Sequence, residues 1–329
     1  MRGDSRYSII VSGTVFLVLY LLFMVATAIL FSYENASPAT GGYIPALAGF
    51  VDIDTISYPL LLTVGVLLFI LTVASVYYLS AAIFDSVSKS KYISLMFAIL
   101  ALVNPSTIVF SGVSVAILLV VWSVYFMFQS RNEGNFAFIP PFLASAASLF
   151  YPYIFFGAVL CIFYILTYKG ITFRMIVASI IGALFPYILA FSLRYILFED
   201  NQLFWELFRS EILDISFKIS AVSVPEMLQM ILLVIVALSS VRVVVRSIRY
   251  YKVEESSALS RMIVVLLFFV LVSAAYPAAY RSCMPFIALP LSILVCEYVK
   301  PIGTSSSIRG GVVLVLLIIM VVARINMFV

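Results

Sequence analysis

The sequence predicts an all-α polytopic transmembrane helix bundle forming a single integral membrane domain over residues 1–329. Three observations lead there. Hydrophobic residues make up 64% of the chain against 10% charged, with a mean hydropathy of +1.20. Runs such as 8–31 and 262–275 contain no charged residue, and about 20 apolar residues suffice for one helical crossing. The most polar intervals, 32–58, 198–225 and 242–261, are each too short to enclose a soluble core. The apolar runs far exceed the roughly 10-residue alternating strands of a membrane barrel, so they are expected as helices.

In chain order, Arg2 and Arg6 precede the first run, and Ala26-Thr27-Ala28 resembles a signal-peptidase site. The run is about 24 residues, longer than the apolar part of a signal peptide, so an uncleaved first helix is expected. About 11 membrane segments follow from the pattern, near 8–31, 58–84, 92–110, 112–128, 137–151, 152–168, 174–197, 226–245, 262–276, 279–298 and 310–328. Asn104-Pro105 and Tyr151-Pro152-Tyr153 interrupt the middle of this series, because proline cannot donate to the helix ladder. They are expected as tight outer-side hairpins, either plain turns or the wall of a cavity. In the stretch 203–218, Phe204, Leu207, Phe208, Ile212 and Ile215 share one helical stripe, which predicts an amphipathic helix lying on the outer leaflet. A basic cytoplasmic loop is expected at about 246–261.

Loop charges give an orientation. With a cytoplasmic N-terminus, alternation places fourteen of the 19 basic residues inside, among them Lys89, Lys91, Arg174, Arg242, Arg246, Arg249 and Arg261. The first outer loop, 32–57, has no Lys or Arg but carries Glu34, Asp52 and Asp54. This positive-inside asymmetry predicts a multi-pass protein whose eleven crossings leave the C-terminus outside.

The candidates for chemistry are few. Histidine is absent, which removes the commonest general base and metal ligand. Cys161, Cys283 and Cys296 have no metal-ligand spacing and suit buried apolar positions. The net charge of +4 fits loops beside anionic lipid and makes no case for nucleic acid. No phosphate loop, zinc motif or nucleophile elbow occurs. Glu34, Asp52 and Asp54 in one outer cleft could hold a divalent cation or act as a base toward a hydroxyl acceptor; the plainer role is solvated loop acids that reinforce the topology. Arg194 and Arg281, at the outer ends of the seventh and tenth spans, have the planar donor fork that grips phosphate, or else snorkel to lipid headgroups. Glu297 is expected to pair with Lys300 at i and i+3, and Gly112, Gly157 and Gly182 are expected as close-packing points.

Two resemblances add to this. The blocks Ala147–Pro152, Lys169–Arg174 and Gly182–Tyr187, with the later AAYRSCMPFIALPLSILVCEYV, resemble an uncharacterised integral-membrane family of Bacteroidota. That resemblance implies an inner-membrane protein and supplies no activity. The acidic residue after the first span, the Asn-Pro in the third and the many apolar hairpins are similar to the integral-membrane GT-C glycosyltransferases. Such a resemblance implies a polyprenyl-phosphate-linked sugar as substrate and Glu34, Asp52 or Asp54 as base or cation ligand. The expected function is therefore envelope biogenesis on a lipid-linked substrate at the outer leaflet, with GT-C-like glycosyl transfer as one form of it and membrane lipids as partners. The alternatives are a transporter or flippase without covalent chemistry, and a non-catalytic membrane assembly partner.

Overall fold

The structure, a computed structural model, describes residues 56–84, 86–102, 105–129, 134–167, 171–198, 224–276 and 280–299, with positions 22, 23, 25, 26, 206 and 209 besides. Its helices are α1 (Tyr58–Phe84), α2 (Val87–Ala101), α3 (Gly112–Gln129), α4 (Ile139–Phe150), α5 (Phe155–Leu166), α6 (Phe173–Phe198), α7 (Val224–Ser247), α8 (Val253–Ala275) and α9 (Tyr280–Val299). Short 3-10 turns occur at Pro105–Ile108, Gly134–Phe138, Pro152–Ile154 and Ile248–Tyr250.

Among the described residues, five stretches are long and apolar enough to cross a membrane: Tyr58–Phe84, Gly112–Gln129, Phe173–Leu197, Val253–Ala275 and Ser282–Val299. The chain is thus an all-α, multi-pass membrane protein. The finer expectation of eleven segments is met only in part. Helix α2 has 15 residues and α4 and α5 have 12 each, so they rise only about 22 and 18 Å against a hydrocarbon core of about 30 Å. The expected spans 8–31 and 310–328 and the expected amphipathic helix 203–218 lie outside the described residues, apart from the isolated positions. Among those, Glu206 and Arg209 are helical and exposed.

Two boundaries move for physical reasons. The third span was expected to run to 110, but α2 ends at Ala101 and the chain turns through Pro105–Ile108, where proline cannot continue the ladder. The basic loop was expected to reach 261, yet α8 begins at Val253. Glu254 and Glu255 sit in its first turn, where acids favour a helix N-terminus. Arg261 therefore belongs to the helix.

Helix α9 is the centre of the bundle. Its spanning window is 83% buried, against 22% for those of α1 and α6, and it packs on α2, α3, α7 and α8. Phe286 is its anchor: its ring stacks on Tyr151 at 5.5 Å and on Phe269 at 5.4 Å, joining α9, the α4–α5 corner and α8. From this centre the packing continues from α3 to α4 and from α4 to α6. Two glycines permit contacts that a side chain would block. A Cβ at Gly65 of α1 would collide with the backbone of Ile108, Val109 and Phe110, and the Phe110 N–H donates to the Leu61 carbonyl at 3.1 Å. A Cβ at Gly182 would collide with the Phe138 carbonyl, so the Gly134–Phe138 turn is seated against the middle of α6. Non-helical backbone is tolerated at such depth only where protein covers it.

Candidate functional site

The helices alternate in direction, which gives the bundle two ends. Lys89 and Lys91 at the start of α2, Arg174 at the start of α6, Arg242 and Arg246 toward the end of α7 and Arg249 in the turn after it mark a basic end. The two arginines singled out in the sequence belong to the opposite end.

Helix α6 turns one stripe inward. Ser179, Gly182, Pro186 and Arg194 are buried, and Tyr187, Ala190 and Phe191 are half-buried between them. The steps of three and four residues keep these positions on one face. Tyr187, Ala190 and Phe191 pack on Leu149 and Phe155, and the Tyr187 hydroxyl hydrogen-bonds Ser148. Arg194 is one turn further on and only 4% exposed, whereas its neighbours Leu193, Tyr195 and Ile196 are 47%, 65% and 73% exposed. The arginine thus follows the inward stripe.

Arg281 is the second residue of α9, at the same end of the bundle. Two residues on, the Cys283 Sγ lies 3.4 Å from the Tyr151 hydroxyl. The α4–α5 corner, from Leu149 to Phe155, thus meets Tyr187, Ala190 and Phe191 of α6 on one side and Cys283 of α9 on the other. Tyr153 extends it, with its ring 4.7 Å from that of Tyr276. Glu34, Asp52 and Asp54 lie outside the described residues. Among the described residues no group of three or more histidine, cysteine or acidic side chains could hold a metal ion.

The basic end contains a polar centre that the sequence did not point to. Glu297 of α9 is buried, and its Oε1 receives Lys89 Nζ from α2 at 2.9 Å. Its Oε2 accepts the Tyr251 hydroxyl at 2.5 Å, from the turn before α8. Lys300, the partner expected at i+3, is outside the described residues. Burial pushes the Tyr251 hydroxyl well above its ordinary range, and its hydrogen bond to the Glu297 carboxylate adds to the effect. No local spacing could have revealed this centre, since Lys89 and Glu297 are 208 residues apart.

Compared with protein-family models and with curated proteins, the chain matches none. Its chemistry has to be read from the side chains themselves. Many buried hydroxyls have local roles: Thr72 donates to the Leu68 carbonyl and Ser75 to the Leu71 carbonyl, both at 2.8 Å. Ser123 bridges two helices by donating to the Pro140 carbonyl at 2.7 Å. Glu297, Lys89 and Tyr251 tie three elements together. Arg194 is a permanent cation on the inward face of α6, and a guanidinium has the geometry to take two oxygens of a phosphate at once.

Proposed function

We propose that this chain is a bacterial inner-membrane protein of envelope biogenesis that acts on a lipid-linked substrate at the outer leaflet. The observation that carries the proposal is Arg194, buried at the end of the inward stripe of a helix whose other faces are exposed. A charge at membrane depth costs several kcal/mol and is kept where it pairs or binds. A polyprenyl or other lipid phosphate offers the bidentate oxygens that suit a guanidinium. Arg281 on the neighbouring turn of α9 is the second candidate donor, with the α4–α5 corner as floor. GT-C-like glycosyl transfer is the chemistry we assign to the site, with Glu34, Asp52 or Asp54 as the base or the ligand of a divalent cation.

The test uses the full chain in its native host. Glu34→Gln, Asp52→Asn, Asp54→Asn and Arg194→Gln are introduced singly, and envelope glycans are profiled by mass spectrometry. The expected outcome is loss of one glycan in Arg194→Gln and in at least one acid variant. Wild-type profiles in all four, at wild-type protein levels, would overturn the proposal. Accumulation of the lipid-linked precursor in the acid variants separates failed transfer from failed substrate supply.

A further inference from the structure

A second charged position, remote from Arg194, has its own setting. Arg261 lies eight residues into α8, about 12 Å along the axis from Val253. Its guanidinium carbon stands 4.1 Å from the Tyr164 ring centroid of α5 and 5.7 Å from that of Phe128 in α3. Cation–π contact of this kind holds the guanidinium plane in place. Beside it opens a groove of about 170 Å³, walled by Leu160, Phe163 and Val264 and edged by Thr167 and Ser260. The groove faces outward from the bundle, since Phe163 is 62% and Val264 48% exposed.

We propose that this groove holds one anionic phospholipid with a hydroxylated headgroup, from the leaflet at the basic end. The apolar wall takes the upper part of an acyl chain, and Arg261 meets the phosphate. The two hydroxyls select the headgroup. Thr167 Oγ1 donates to the Tyr164 carbonyl at 2.7 Å and Ser260 Oγ to the Ser256 carbonyl at 2.9 Å. Each spends its proton on its own helix and keeps lone pairs for a donor, which a glycerol headgroup supplies. A choline headgroup has no donor to offer them and brings a second cation next to Arg261. Charge complementarity thus favours phosphatidylglycerol over phosphatidylcholine. A second groove of about 210 Å³, between α7, α8 and α9 and nearer the opposite end, is lined by side chains such as Met230, Leu233, Val270 and Leu291 and by no charged residue. It provides an internal contrast that takes chains without choosing heads.

The experiment is native mass spectrometry of the full-length protein released from nanodiscs of mixed phosphatidylglycerol and phosphatidylcholine. Wild type is expected to retain phosphatidylglycerol preferentially, and Arg261→Gln to retain it about five-fold more weakly, the factor set by one basic residue near a lipid phosphate. Val264→Trp keeps Arg261 and fills the wall from the exposed side, so it tests the groove even if the arginine variant does not fold; the same loss is expected. Equal retention of both lipids by wild type would overturn the assignment. So would wild-type retention in either folded variant, or recovery of a zwitterionic lipid or fatty acid from the groove.

Discussion

Lys89→Met is the sharpest perturbation of the basic end. It takes the ammonium away from the Glu297 side chain, which is 1% exposed and also accepts the Tyr251 hydroxyl. Removing one partner of a fully buried ion pair costs about 3–5 kcal/mol, because the other charge stays desolvated. The Lys89 side chain is 25% exposed, so water screens part of the interaction and about 2 kcal/mol is the reasonable expectation. The measurement is the midpoint temperature of the detergent-solubilised protein, read by size-exclusion after heating. A loss of about 2 kcal/mol lowers it by several degrees in a chain of this size. The informative arm is Lys89→Met with Glu297→Gln, where the neutral amide no longer carries a stranded charge. That double variant should recover most of the loss, giving a coupling energy above about 1 kcal/mol. Additive destabilisation in the cycle, or no change in Lys89→Met, would refute the view that the Glu297 carboxylate is buried as an anion.

Two further perturbations probe other links. Tyr251→Phe should destabilise by about 1 kcal/mol at neutral pH through loss of a hydrogen bond to a carboxylate. The raised folded-state pKa of Tyr251 means that the phenol's contribution is complete below its unfolded value of about 10 and declines as pH rises beyond it; thermal midpoints at pH 8 and pH 11 should therefore show the gap between wild type and variant narrowing, and a constant gap would count against the hydrogen bond. Gly182→Val drives two methyl groups toward the Phe138 carbonyl, which as backbone cannot swing aside. Overpacking of this kind costs about 1–3 kcal/mol, so the loss should fall toward the upper end of that range, whereas Gly157→Ala, which meets the Ile154 Cγ2 methyl at 3.0 Å and no backbone, should be milder.

What the sequence revealed follows from how far each signal reaches along the chain. Hydropathy is local and cumulative, so the all-α membrane class was readable, and α1 was placed at 58–84, the limits the structure gives. Proline is local too, which is why the break at Pro105 and the corner at Tyr151-Pro152-Tyr153 were visible. A hydropathy window stops at a charge, however, and that is why Arg261 was assigned to a loop when it continues α8. Gly182 could be recognised as a packing point, but its partner Phe138 could not, because the turn that carries it closes back from 44 positions away. The pairing of Lys89 with Glu297 was out of reach for the same reason. Arg194 was nearer to being legible, since Ser179, Gly182, Pro186 and Ala190 trace its face at steps of three and four.

The membrane setting explains why these few charges matter more than their number suggests. In a soluble protein a stray arginine is accommodated by water at small cost. In this bundle the three best-placed ionic groups each have a different environment. Glu297 is neutralised inside by a lysine and a phenol from two other elements. Arg261 stands over the Tyr164 ring beside an outward-facing groove. Arg194 turns inward at the far end, one turn beyond the aromatic corner that also contacts α9. The first arrangement binds the protein to itself and the second binds it to its solvent. The third carries a permanent cation inward on α6, and it is the position on which the proposed phosphate recognition rests.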